Sequence, residues 1–426
     1  MDGEVITNHE FNEFNELIIN IIKSPIKMKK AFLSFAIAAV AAVAMASCGN
    51  KSAQNAESTV EGEANNDSPA MRLLNSVPFT EEGLVSMVTT PEKGILTPEE
   101  FEAMYLAFSK VAIDEKTMEL ERNFVSKARN TAFKNRKNPE NYKDILKQLM
   151  SNPSPQVRGQ AIVASTGKLF GAKDSEVSND LSILLNEQHP YVIKCGVEAL
   201  SNELKHPEVA KFVLAQVDNE SPFVRRKVAI AVGNSWSKGV DGVKEAALKL
   251  MADKDENTRK LILSGVGKLA DDSFVPELVK VLDDPAQEKF HGDAIRGLST
   301  MWLDYPFHKN TSKAAYDATI NYYKKTPRTN KVPSWAGISA FSTVAEKEIG
   351  AWKAKATYFK PAEFAKVLTD VVNDPEVSWL AAAPAAKAIK GLCSKADLEN
   401  LKKTVEANTG LKQQKQILEA IEKEMK

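Results

Sequence analysis

The sequence is short of the residues that build most chemical sites. Its 426 residues include three cysteines, five histidines and 7% aromatic residues. Three cysteines exclude a disulfide scaffold and most cysteine-based zinc sites. No His-Glu-x-x-His and no paired histidine spacing is present, so no metal is expected. No Gly-rich loop runs into Lys-Ser or Lys-Thr to cradle a phosphate, and no cofactor is expected. Net charge is missing too, with Lys plus Arg at 56 and Asp plus Glu at 56. A dedicated nucleic-acid binder carries excess positive charge, so nucleic acid is not expected as a partner. What remains is 43% hydrophobic and 26% charged, the balance of an ordinary folded chain. Length alone suggests about three domains.

The N-terminus carries an address. Met28-Lys29-Lys30 is a basic opening, residues 31–46 are apolar and uncharged, and Ser47-Cys48 follows. Those are the parts of a secretory signal, and the apolar stretch is short for a bilayer span, which takes about 20 residues. Met45-Ala46-Ser47-Cys48 places a bulky apolar residue and two small ones before a cysteine. This resembles the lipobox of a bacterial lipoprotein. The resemblance implies that Cys48 is lipidated and becomes the mature N-terminus, tethering the chain to a membrane. Residues 1–27 read as a mis-called upstream extension and 28–47 as the signal peptide. Residues 48–69, rich in Ser, Asn, Ala, Glu and Gly, read as a tether with no core to bury. The signal is similar to those of Bacteroidota lipoproteins, which reach the cell surface when an acidic cluster follows the cysteine. Asn50-Lys51-Ser52 stands there instead, which favours the periplasmic face of the outer membrane.

Beyond the tether, the chain repeats itself. Val157, Val192, Val224 and Thr258 occupy one register, at spacings of 35, 32 and 34. From each, apolar or small residues recur at i+4, i+7 and i+8, as in Val224, Val228, Ala231 and Val232. That is one face of an α-helix. Further stripes alternate with these: Tyr142, Ile145, Leu146, Leu149; Val177, Leu181, Leu184, Leu185; Val275, Val279, Leu282. Turns such as Asn152-Pro153 and Asp283-Asp284-Pro285 separate them, so the unit is a helix pair of about 34 residues.

The turn followed by Val-Arg resembles the HEAT-repeat family, in the short bacterial form also seen in phycobilisome-lyase-like repeats. The resemblance implies an all-α fold, a right-handed α-solenoid of HEAT-like helix pairs behind an N-terminal helical cap. It also implies a ladder of polar–Arg pairs six residues apart: Asn152 with Arg158, Asn219 with Arg225, Asp253 with Arg259. Ile193 breaks that ladder in the second repeat. The cap covers 70–140, with Thr97-Pro98-Glu99-Glu100 opening a helix. Regular repeats cover 141–303, an irregular insertion and helix 304–332, and degenerate repeats with a C-terminal cap 333–426. Within the last, Pro375 to Leu392 reads as one helix kinked at Pro384, and Leu398 to Glu424 as two closing helices.

Few residues invite a chemical role. His189 and His206 precede Pro in turns, where capping suits them, and His291 falls in the ladder-Arg position. Cys195 and Cys393 read as small fillers within helices. Arg225-Arg226 with Trp236 is reminiscent of HEAT-like DNA glycosylases. The export signal, zero net charge and the ladder role of Arg225 oppose that comparison. One anomaly is a crowd of aromatics at the broken repeat. Trp302, Tyr305, His308, Tyr322, Tyr323 and Trp335 either fill the gap left by irregular packing or line a partner groove. Solenoids bind proteins or extended peptides along one helix row, so an envelope-anchored, non-enzymatic scaffold is expected. The alternatives are an enzyme or enzyme accessory of the HEAT-like lyase type and a structural envelope spacer. A signal peptide begins near its basic region, so the unprocessed precursor is expected to start at Met28. Intact-mass analysis checks this, and a species starting at Met1 overturns it.

Overall fold

The computed structural model describes residues 68–77, 82–83, 97–120, 139–165, 174–304, 307–325, 338–340, 342, 344, 346–375 and 381–426. The chain divides into two units, Met1–Ala64 and Asn65–Lys426. The first lies wholly outside the described residues, and with it the signal peptide and Cys48.

The second unit is all-α. Its helices are α1 (Pro69–Asn75), α2 (Pro98–Leu106), α3 (Pro139–Leu149), α4 (Pro155–Ser165), α5 (Asp174–Leu184) and α6 (Pro190–Leu200). Then come α7 (Pro207–Ala215), α8 (Pro222–Val232), α9 (Val243–Met251), α10 (Glu256–Gly265), α11 (Val275–Asp283) and α12 (His291–Leu303). The remainder are α13 (Lys313–Lys325), α14 (Glu346–Lys355), α15 (Pro361–Val372), α16 (Ala382–Leu392), α17 (Lys395–Ala407) and α18 (Gln414–Met425). Among the described residues the only pairing of extended chain is one antiparallel bridge, Asp114 with Glu119.

Prolines set the starts of many of these helices. At the first turn the missing N–H has no intrahelical acceptor to lose, so Pro fits there at no loss. In several of them the residue before it caps. Thr97 accepts from the Glu100 N–H while Glu100 bonds back to the Thr97 N–H, the reciprocal box its sequence announces. His189 accepts from the Tyr191 N–H, and Ser154 from the Val157 N–H. Asp271 and Asp284 cap in the same way.

Helix packing follows the repeat register. In one row α4 packs on α6, α6 on α8, α8 on α10 and α10 on α12. The register residues Val157, Val192, Val224 and Thr258 are all buried at these contacts. A second row runs beside it, with α5 on α7, α11 on α13, α13 on α15 and α15 on α17. Close approach in the first row depends on missing side chains. A Cβ on Gly267 would run into the Gly297 carbonyl, and one on Gly297 into the Leu263 carbonyl.

Some sequence expectations need correcting. Leu185 lies just past the end of α5 and is 66% exposed, so the buried stripe there ends at Leu184. The cap is not helical throughout, because residues 111–120 form a bridged turn. The α-helix described there begins at Ala382, which puts Pro384 in its first turn, and residues 376–380 of the expected helix lie outside the described residues. The closing pair α17 and α18 forms as expected, with Ile417 and Ile421 buried under the charged face of α18.

Gly267→Ala is expected to destabilise the fold by about 1–3 kcal/mol, because the clash is with backbone that cannot swing aside. Gly350 in α14 has open space around it, so Gly350→Ala is expected to stabilise by up to about 1 kcal/mol. Thermal melts of the two variants check the contrast.

Candidate functional site

The predicted ladder exists, but its rungs connect different atoms. Arg225 grips Asp253 with two parallel bonds, Nε at 2.6 Å and Nη2 at 2.9 Å. Its third nitrogen, Nη1, donates to the main-chain carbonyls of Asn219 (2.8 Å) and Glu220 (3.1 Å). Arg158 repeats this geometry on Glu187 (2.9 and 3.1 Å) and on the carbonyls of Asn152 and Pro153 (both 2.9 Å). Arg259 donates to the Met251 carbonyl at 3.1 Å and to the Gln287 side chain, and it lies 4.0 Å from the Phe290 ring centroid. A parallel rung joins Arg226 to Asp255 through two bonds of 2.8 Å.

Each rung therefore spans from one unit to the turn that opens the next, 28 or 29 residues on. Of the expected partners six residues upstream, Asn152 and Asn219 contribute carbonyls, not side chains, and Arg259 takes the Met251 carbonyl instead of Asp253. The Asn152 and Asn219 side chains are occupied in their own turns, accepting from the N–H groups of Ser154 and Ser221. Asp253 serves Arg225 rather than Arg259. The downstream acceptors escaped sequence reading because they lie in the next repeat. One signal could have found them: Glu187 and Asp253 follow an Arg, whereas uncharged Asn219 follows Ile193.

His291 stands at the ladder position in α12 and copies the pattern with an imidazole ring. Its Nδ1 lies 3.2 Å from the Tyr322 hydroxyl and its Nε2 3.3 Å from the Asp284 carbonyl. One ring nitrogen thus reaches the preceding turn and the other the next helix.

Electrostatics match this geometry. Burial pushes Asp253 and Glu187 up, but bonds from Arg225 and Arg158 and from turn N–H groups outweigh it and hold both below the usual carboxylate range. The Arg226 guanidinium does the same to Asp255, helped by Thr258. On the same helix row, Lys194 is buried and bonds the Met118 carbonyl and the Glu119 carboxylate, both at 2.6 Å. Burial lowers Lys227, yet Glu198 at 2.8 Å holds it above its ordinary value. Asp293 on α12 is pushed up by burial, against the charges of Arg296 and Lys260.

The aromatic crowd is a core. Trp302, Tyr322, Tyr323 and His308 are all buried, so they fill the interior where the repeat breaks and do not line an open groove. Trp302 meets Tyr316, Trp352, Phe359 and Phe364 at ring distances of 5.4 to 6.4 Å, and its Nε1 donates to Thr319. His308 is fixed by its Nδ1 on the Leu303 carbonyl. Tyr305 and Trp335 lie outside the described residues. Among the described residues the exposed aromatics are Trp236, 50% exposed, and Phe307, 41% exposed. The turn holding Trp236 packs on residues 266–269, and those pack on α12, from which Phe307 follows.

Burial pushes the Cys393 thiol up to about 12, far from a thiolate at neutral pH, and its Sγ donates to the Pro361 carbonyl at 3.3 Å. Cys195 is buried, as expected of a filler. Among the described residues no cluster of His, Cys, Asp and Glu could hold a metal ion, and no helix is long and apolar enough to cross a membrane. Comparison with protein-family models and with curated proteins gives no match.

The Arg225–Asp253 side chains are only 6% and 7% exposed. Arg225→Ala would leave a buried carboxylate without its cation, a loss of about 3–5 kcal/mol. Denaturant midpoints check this. The pH dependence has a definite sign. Glu187, Asp253 and Asp255 titrate lower folded than unfolded, so their contribution is full above the unfolded value of about 4 and drains away as pH falls below it. Melting temperatures are expected to stay level from pH 7 to about 5 and to drop below about 4. Asp253→Asn is expected to show a shallower drop.

Proposed function

We propose that this chain is a lipid-anchored HEAT-like α-solenoid of the bacterial envelope, acting as a scaffold that binds a protein or extended peptide. The carrying observation is the row α4–α6–α8–α10–α12, in which each helix packs on its predecessor and Arg rungs tie most units to the next. Such a row presents side chains at a constant register over several helix spacings, each about 8–10 Å. That surface suits an elongated partner better than a compact small molecule. Half-buried charges on it, Lys227, Lys260 and Asp293, offer directional contacts, and Trp236 and Phe307 offer apolar anchors at its edge. The Met45–Cys48 lipobox supports membrane tethering through Cys48, and the Asn50-Lys51-Ser52 sequence behind it supports the periplasmic face of the outer membrane. Two or more acyl chains on one cysteine would make that anchoring stable.

The test is crosslinked co-purification from envelope fractions. The expected result is one defined protein partner whose yield falls at least fivefold in a Trp236→Ala, Phe307→Ala variant of unchanged melting temperature. A bound small molecule in place of a protein, or no partner at all, overturns the reading. Cys48→Ser is expected to move the chain from the membrane to the soluble fraction.

A further inference from the structure

The rungs do not run unbroken along the row. From α4 the tie to the next turn is Arg158–Glu187, from α8 Arg225–Asp253 with Arg226–Asp255, from α10 Arg259–Gln287, and from α12 His291–Tyr322. The step from α6 to α8 has none of these. Ile193 stands where the rung Arg would be, and the acceptor position holds Asn219, whose Nδ2 donates instead to Gln216 within its own turn. The position that carries the parallel rung, Arg226 in α8, is Lys194 in α6. Lys194 faces the other way along the row and binds the Met118 carbonyl and Glu119.

A second observation falls at the same step. Ser221 precedes α8 as its N-cap, yet its side chain makes no capping bond and its buried Oγ has no partner. Its counterparts Ser154, His189 and Asp255 all cap. His206, the N-cap of α7 between the same two helices, also has a buried Nδ1 without a partner. An unsatisfied buried polar atom disfavours the packed state. The described polar tie left between α6 and α8 is Lys227–Glu198, whose side chains are 23% and 20% exposed.

We propose that the α6–α8 step is a compliant joint, about which the two parts of the helix row change their mutual angle. Loosening at this step lets water reach Ser221 Oγ and His206 Nδ1, so opening relieves a penalty there and breaks no rung. At the neighbouring steps, opening has to separate a two-point Arg–carboxylate bond from a mostly buried place. The joint rests on the repeat reading of the row. Its use would be to let a partner select the curvature that fits it.

Hydrogen exchange on the full chain, followed by mass spectrometry without any partner, tests the joint. Helices α7 and α9 occupy equivalent places beside the two steps. In the unaltered chain α7 amides are expected to exchange at least tenfold faster than those of α9. Installing the rung with Ile193→Arg and Asn219→Asp is expected to slow α7 at least fivefold and to leave α9 unchanged. Removing one of the two rungs at the α8–α10 step with Arg225→Ile and Asp253→Asn is expected to speed α9 at least threefold, toward the rate of α7, with Arg226–Asp255 still in place. Equal rates in the unaltered chain overturn the proposal, as does an α7 rate untouched by the installed rung. Should that variant not fold, the removal variant decides, and an unchanged α9 overturns the joint. Because no partner is present, failure here leaves the scaffold reading standing, and loss of the scaffold reading leaves the joint standing.

Discussion

The fold turns on how one guanidinium can join three pieces of chain. Arg225 leaves α8, takes the carbonyls that end the preceding turn, and closes on the carboxylate that opens the following one. A planar fork with five donors can do this and a lysine ammonium cannot, because the two directions must be served at once. The acceptor carboxylate also has a second duty. Asp253 accepts from the Asp255 N–H and Glu187 from the His189 N–H, so each rung shapes the turn that starts the next helix. Helix position and turn conformation are therefore set by the same bond. Burying such a pair is not a net gain over well-packed apolar residues. Its value here is register: an Arg that meets its acid one repeat on fixes how far each helix pair slides along its neighbour.

Where the rungs stop, packing takes over. At α12 the guanidinium gives way to His291, and its bond to Tyr322 leads directly into a cluster of large rings. Trp352 donates its Nε1 to the carbonyls of Trp302 and Asn310, across 50 and 42 residues of sequence. The Trp302 carbonyl belongs to the last turn of α12, whose carbonyls have no intrahelical N–H to accept from, and Asn310 lies beyond the end of that helix. The irregular region thus substitutes aromatic volume and indole donors for the small residues and rungs of the regular part. The strained backbone there is consistent with this. Asp304 and His308 both adopt positive φ, at 29° and 46°, held by the His308 bond to the Leu303 carbonyl.

Much of this was legible from residues alone, and the boundary is informative. Local signals read well: the i, i+4, i+7, i+8 faces, the Pro-led starts, the box at Thr97 and the capping Asp residues. Each depends on neighbours within one helical turn. Arg158 and Arg225 do bond Asn152 and Asn219, through the carbonyls, but their carboxylate partners and the Gln287 partner of Arg259 sit a full repeat away, where local pattern is blind. For the two carboxylates the clue was a correlation between repeats: Glu187 and Asp253 follow an Arg, and Asn219 follows Ile193. The aromatic crowd misled for a different reason. Composition says that large rings are present, but exposure depends on which helix covers them, and here α13, α14 and α15 supply rings that close over Trp302.

In a stacked array, stability is a sum over units and the contacts between neighbours. That arithmetic makes the weakest contact the most consequential one, since nothing distant can reinforce it. The α6–α8 contact keeps its buried apolar residues, Val192, Leu200, Val224 and Val228, so it holds together. What it lacks is a two-point Arg–carboxylate rung, its described polar tie being the Lys227–Glu198 bond of a flexible ammonium. Apolar packing tolerates small rotations because it is not directional, whereas a two-point Arg–carboxylate bond does not. Lys194 shows where the charge at this position went. By holding Met118 and Glu119 it anchors the bridged turn of residues 111–120 to α6, and Gln156 donates to the Val111 carbonyl from α4. The front of the row is thus tied back on itself, and the units from α8 onward are tied forward. The same substitution that leaves this contact without a rung thus separates two bonded groups of helices, one tied back through Lys194 and Gln156 and one tied forward through Arg225 and Arg226.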